Sequence, residues 1–217
     1  MDLGRLFPEK AKVTFPFYYS VSQERSIPKF DPLNEDLLLE DVLGMTTSKA
    51  ARDSILNYSQ TLQPYRSMNL SNIRVNLKST TPLPIDPANF SFNFHSTESF
   101  EQDPTTEYEI TKNYNGGMNY NYTSPLKPWQ PFAKSKGMNS PWLKVIKDFN
   151  WDFLPNTITA GTNLTRYYYE LQSRNLSNGS ASELSPLTVS KNFIWNSDLT
   201  LNWNISKSLK LNVTVNN

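Results

Sequence analysis

Residues 107–123 read EYEITKNYNGGMNYNYT. Taken alternately, Tyr108, Ile110, Lys112, Tyr114, Gly116, Met118, Tyr120 and Tyr122 fall on one side. Glu107, Glu109, Thr111, Asn113, Asn115, Gly117, Asn119, Asn121 and Thr123 fall on the other. One face is aromatic and apolar, interrupted by one Lys and one Gly. The other carries amides, hydroxyls and carboxylates. A period of two is the signature of a β-strand, whose successive side chains point to opposite faces. At about 3.3 Å per residue this strand runs roughly 50 Å, whereas crossing a bilayer's hydrocarbon takes only about 9–11 residues. A strand that is greasy on one side and neutral-polar on the other suits a wall between lipid and water. A long strand in a soluble sandwich or solenoid satisfies the same pattern.

Composition narrows the choice. The net charge of +1 gives no electrostatic argument for nucleic acid, and the absence of cysteine removes disulfides and thiolate metal sites. No apolar run approaches the roughly 18 residues of a transmembrane helix, but alternating barrel strands average to a polar hydropathy and escape that test. The opening MDLGRLFPEK lacks the apolar core of a signal peptide, and the chain stops inside a strand pattern, LKLNVTVNN. The expectation is a fragment of a larger protein.

Outward from the organising strand, Asn89–Phe100 alternates Phe90, Phe92 and Phe94 with Ser91, Asn93 and His95, and a short turn at Asp103–Pro104 predicts a hairpin with 107–123. Ala11–Gln23 reads as a strand in which Pro16 requires an edge or a bulge. Residues 24–46 read as irregular, and Thr47–Leu62 as a helix with Ala51, Ile55, Tyr58 and Leu62 on one face, ended by Pro64. Ser67–Lys78 is a strand whose apolar register slips between Leu70 and Ile73, which suggests a bulge. TTPLPIDP is a connector and Ser124–Pro141 a Pro-rich loop. Leu143–Leu154 counts as a strand on the alternation of Phe149, Trp151 and Phe153, with a helical turn at Trp142–Ile146. Thr157–Leu171 follows, with a second apolar shift before Tyr167, Tyr169 and Leu171 that again suggests a bulge. Gln172–Ser190 is a loop, and Phe193–Ile205 with Ser208–Val215 form a hairpin across Ser206–Lys207.

These readings sum to an all-β chain of about eight strands in one antiparallel, curved sheet, an arc of a very large transmembrane β-barrel, with one short helix in a loop. The single segment spans residues 1–217, and residues 24–66 form a loop insertion with a helix at about 47–62. Short connections at 101–106, 155–156 and 206–207 share one side, and long ones at 124–141 and 172–190 the other. The 24–66 excursion falls on the short side. Either it is a periplasmic insertion or a strand is miscounted.

Catalytic chemistry finds no footing. His95 is the only histidine, no serine sits in a G-x-S-x-G context, and Glu35-Asp36 and Glu40-Asp41 lack calcium-loop spacing. No catalytic, cofactor or metal-binding residue is assigned. The expected site is the strand itself, with Tyr108, Ile110, Tyr114, Met118, Tyr120 and Tyr122 facing lipid and Asn113, Asn115, Asn119 and Asn121 facing the lumen.

Several stretches resemble one family. EYEITKNYNGGMNYNYTS and WLKVIKDFNWDFLPNTITAGTNLTR, with FPFYYSVSQERSIPKFDPLNEDLLL and ARDSILNYSQTLQPYRSMNLSNIR upstream, are similar to segments of the SprA family, called Sov in some species. The resemblance covers roughly residues 10–175 in order. It implies the giant outer-membrane protein of Bacteroidetes type IX secretion and gliding motility. That is a non-enzymatic, single-chain barrel whose polar lumen passes folded cargo, served by a PorV-like small barrel and closed by a plug protein. The alternative is an extracellular β-rich module binding carbohydrate or another ligand, in which a second sheet would cover the aromatic face. A TonB-dependent receptor fragment shares the barrel but brings a plug domain whose pattern is missing.

Overall fold

The computed structural model describes residues 2–77, 82–133, 144–176 and 183–217. Thr80 and Thr81 of the connector, the end of the Pro-rich loop and the Trp142–Leu143 part of the expected turn lie outside them. The chain is dominated by one open antiparallel sheet. Its strands are β1 (Val13–Thr14), β2 (Phe17–Ser26), β5 (Thr61–Val75), β6 (Phe90–Glu101), β7 (Thr106–Thr123), β8 (Thr157–Ser173), β9 (Thr188–Trp203) and β10 (Leu211–Asn216). The two short strands β3 (Phe30–Asp31) and β4 (Asn34–Leu38) pair apart from it. β1 and β2 both pair with β5, and from β5 to β10 every strand neighbours the next in sequence. β1/β2 and β10 are the edges.

The organising strand sits in the middle. β7 pairs with β6 over twelve registered residues, from Phe90↔Tyr120 to Glu101↔Glu109, so the expected hairpin is present. Gly116 and Gly117 stay in register on both sides. Pro16 separates β1 from β2 at the sheet edge, where its missing N–H leaves no ladder bond unmade. The register slip in β5 is a bulge between Leu70 and Ile73. Asn72 there takes φ 53°, a left-handed conformation that asparagine tolerates, and its N–H donates to Asn93 Oδ1 at 3.0 Å.

Four expectations need correction. The helix ends at Ser59, and Pro64 lies inside β5 opposite Gln23. Residues 24–46 are not irregular: they finish β2, pair β3 with β4 and form helix α1 (Leu39–Met45) before α2 (Lys49–Ser59). The second apolar shift is no bulge. β8 runs in unbroken register with β9, so Tyr167, Tyr169 and Leu171 lie on the polar face. The described part of the expected strand, residues 144–154, is not a strand either. It holds the turn α3 (Lys144–Lys147) and one bridge, Trp129↔Trp151. Alternating aromatics there reflect packing of Trp129 on Phe153, with ring centroids 6.0 Å apart.

Losing that strand changes the parity of the connections. Residues 27–60, 102–105 and 174–187 join strands at one end of the sheet, hereafter the upper end. Residues 76–89, 124–156 and 204–210 join them at the lower end. Each end carries both long and short connections, so the expected division into a short side and a long side does not hold for these strands.

The long upper excursion docks through the C-terminal half of α2. Gln102, buried at the β6–β7 turn, exchanges backbone hydrogen bonds with Leu62 and donates from Nε2 to the Asn57 carbonyl and Oδ1, both at 2.9 Å. Ser59 is buried, and the Tyr58 hydroxyl donates to Asp31 Oδ1 at 3.3 Å. Burial, then the neighbouring Asp31 carboxylate, raises the Tyr58 pKa above its ordinary value. The N-terminal half of α2 is exposed. Gln102→Ala removes the Nε2 donor and is expected to cost about 1–2 kcal/mol of docking. A cysteine at half-buried Ile55 should then label several-fold faster, while one at exposed Lys49 is unchanged; equal rates before the substitution would contradict docking.

Candidate functional site

Register assigns every strand residue to a face. Direct cross-strand partners share a face, so β7's even-numbered side extends through Phe90, Phe92 and Phe94 on β6 and Met68, Leu70 and Ile73 on β5. It continues to Phe17, Tyr19 and Val21 on β2. In the other direction it takes in Ile158, Ala160 and Leu164 on β8, then Phe193, Trp195, Leu199, Leu201 and Trp203 on β9. Leu211, Val213 and Val215 complete it on β10. The opposite face presents Tyr18, Ser20 and Ser22, then Ser67 and Asn69, then Ser91, Asn93, His95 and Thr97. Beyond β7's asparagines it presents Thr157, Thr159 and Asn163, then Asn192, Asn196, Asp198 and Thr200.

The apolar face is largely uncovered. Val21 is 57% exposed, Trp195 58%, Phe193 64% and Val215 54%. Among the described residues only Leu39 and Tyr122 are buried apolar side chains. A soluble sheet of this size hides its apolar face under helices or a second sheet. Here β3 and β4 are the only other strands among the described residues, and they lie with the upper excursion.

The expected lipid-facing residues share this face but not one environment. Met118 is half-buried between Phe92 and Thr162 in the apolar zone. Tyr120 packs on Phe90 with centroids 4.9 Å apart and donates to the Pro84 carbonyl at 2.8 Å, so residues 82–89 lap over the lower end. Tyr122 has no exposed surface. Tyr114 donates to Glu98 Oε1 at 2.6 Å and Tyr108 to Glu170 Oε1 at 2.8 Å. Ile110 lies within this hydrogen-bonded zone, between Tyr108 and Tyr114 on β7 and beside Phe100 and Glu170. The four asparagines share the polar face: Asn113 and Asn115 are half-buried, Asn119 and Asn121 exposed. Asn115 Nδ2 donates to Thr165 Oγ1 at 2.9 Å.

Sequence reading missed two features. The first is a charged row across the apolar face, Arg66–Glu98–Lys112–Tyr168–Lys191, each residue the registered partner of the next. Lys112 signalled it as the one charge in the even-numbered series, but its partners become visible only with the register. The second is Arg174, in a stretch read as loop. Its side chain is 1% exposed and pairs with Glu107 at 2.5 Å, while Nη1 donates to the carbonyls of Asp103 at 2.7 Å and Thr106 at 3.3 Å. Arg174 thus ties the β6–β7 turn to the end of β8.

At the N-terminus, Asp2 accepts from the Gly4 and Phe15 N–H groups at 2.8 and 3.1 Å, which lowers its pKa, and Asp2 bridges to Pro16. This first segment folds back along the sheet edge.

The N-terminal region is SprA-related. Residues 1–43 match the SprA_N family, described as a motility related/secretion protein. No curated protein matches the chain. The matched residues form the edge strands β1 and β2, the β3–β4 pair and most of α1. They overlap the stretch FPFYYSVSQERSIPKFDPLNEDLLL of the resemblance, while the organising strand lies outside them. The match relates the chain to motility and secretion and names no reaction. Among the described residues no group of His, Asp or Glu is arranged to hold a metal ion, and no helix is long and apolar enough to cross a membrane. The latter says nothing of strands.

Proposed function

We propose that this chain is a length of wall in a very large outer-membrane β-barrel of the SprA kind, a passive type IX secretion channel with a polar lumen for folded cargo. The observation that carries the reading is a single open sheet with an exposed apolar face and an amide- and hydroxyl-rich reverse. The span Phe193–Trp203 covers roughly 34 Å along β9, which is about 26 Å of height at a tilt of about 40°, against an apolar barrel band of about 25 Å. The N-terminal match to a motility and secretion family supports the same reading. The lipid-facing band runs from Met118 and Tyr120 up to Tyr114, and Asn113, Asn115, Asn119 and Asn121 line water. A PorV-like small barrel, a plug protein and secreted cargo are its expected partners, and the outer membrane its location. A ligand-binding module would need a second sheet over the aromatic face, and among the described residues the only other strands, β3 and β4, do not supply one.

The test uses single cysteines in the intact membrane-embedded protein. Phe92, Trp195 and Val213 are expected to react with a bilayer-soluble maleimide and to resist a charged aqueous one. Asn93, Asn119 and Asn196 are expected to do the reverse. Equal access of the aqueous reagent to both sets would overturn the two-solvent wall.

A further inference from the structure

The charged row and its neighbours Arg166 and Glu170 carry four cations against two carboxylates, Glu98 and Glu170. Arg66, Lys112 and Lys191 lie in it, and Arg166 sits one position below, beside Tyr114. Among the described residues none of these four cations makes an ion pair. The two carboxylates of the zone are instead held by phenols. Tyr114 donates to Glu98, and Tyr108 and Tyr168 both donate to Glu170. Lys191 rests over the Tyr168 ring with Nζ 5.5 Å from its centroid. Arg66, Arg166 and Lys191 are exposed. At the lower limit of the same face, Val13, Val75, Phe90, Ile158, Trp203 and Leu211 bring no charge. The four cations therefore lie toward the upper end of the apolar face, while these strand residues at its lower end carry no charge.

We infer that Arg66, Lys112, Arg166 and Lys191 bind the phosphate groups of lipid headgroups in the leaflet that meets the upper rim. The inference rests on the lipid-facing reading of this face. Long basic side chains lie along apolar surface and reach up to an interface with their charged ends. Four cations share the zone with only two carboxylates, Glu98 and Glu170, so anionic headgroups supply the counter-charge for the excess, and the guanidinium forks of Arg66 and Arg166 match phosphate in geometry. The uncharged strand residues at the lower end fit a leaflet poorer in anionic groups, so the row also fixes the orientation of the wall.

The experiment places a bimane probe at Phe193→Cys, next to Arg166 and Lys191, in the intact protein reconstituted in vesicles. Quenching by brominated phosphatidylglycerol is compared with quenching by brominated phosphatidylcholine. The expected preference for the anionic lipid is about fivefold, the effect of roughly one favourable basic contact near a membrane surface. It should fall to about one in the variant carrying Arg66→Gln, Lys112→Gln, Arg166→Gln and Lys191→Gln, and should weaken with added salt. Unchanged phosphatidylcholine quenching in that variant shows that it still folds in the bilayer. Equal quenching by the two lipids in the unsubstituted chain would overturn the headgroup binding while leaving the lipid-facing wall intact. No quenching by either lipid would overturn the wall itself.

Discussion

Met118→Arg is expected to block assembly of the intact protein in the membrane, whereas Asn119→Arg, one residue away, is expected to leave it assembled. Met118 lies at mid-band between Phe92 and Thr162, with Phe90, Phe94 and Leu164 near by on the same face. A guanidinium at a lipid-facing midplane position costs roughly 2–4 kcal/mol, which lowers the assembly equilibrium constant about 30-fold to nearly 1,000-fold. Asn119 is exposed on the polar face, opposite Gly161. The absence of a Cβ at Gly161 lets the Asp198 carboxylate lie across that position, since an added Cβ would fall 2.4 Å from Asp198 Oδ1. An arginine at 119 thus remains in water with a carboxylate neighbour. The measurement is the yield of assembled, protease-resistant protein in outer membranes. Equal loss from both substitutions would show that both faces of β7 are buried.

Glu107→Ala is expected to destabilise the upper turn more than Arg174→Ala does, although both remove the same ion pair. The Arg174 side chain is 1% exposed and that of Glu107 33%. Removing Glu107 leaves a buried guanidinium with only the Asp103 and Thr106 carbonyls as partners, and breaking a buried pair in that way costs about 3–5 kcal/mol. Removing Arg174 leaves a carboxylate that water already reaches, so its cost is expected to be roughly half as large. Glu107→Gln, which keeps an acceptor, should fall between Glu107→Ala and the unsubstituted protein. Denaturant unfolding in detergent, followed by proteolysis at the β6–β7 turn, gives the order. The reverse ranking would mean that packing of the Arg174 stem outweighs its charge.

What could be read in advance was whatever depends on local period. Alternation along 107–123 predicts a β7 of nearly the observed length, the phenylalanine series predicts β6, and the slip between Leu70 and Ile73 predicts the bulge. Side-chain period is a property of the single strand and needs no partner. For the same reason the two faces of β7 were separable, since an amide and a phenyl group prefer different solvents wherever the strand lies.

Reading failed where a residue's meaning depends on a neighbour distant in sequence. Phe149, Trp151 and Phe153 alternate like a strand, yet Trp129 and the β9–β10 turn take up that stretch: Asp152 N–H donates to the Ile205 carbonyl at 2.9 Å, and Lys207 N–H to Asn150 Oδ1 at 2.8 Å. The shift before Tyr167 resembles the one in β5, but an unbroken ladder to β9 holds those tyrosines on the polar face, because register and not hydropathy decides which side a residue takes. The charged row is the clearest case. Arg66, Glu98, Lys112 and Lys191 are scattered over four strands in sequence, and only cross-strand pairing sets them side by side. By itself the sequence determined a strand with one apolar and one polar face. Only the tertiary structure decided where the apolar band stops, because that limit is drawn across strands and no single strand contains it.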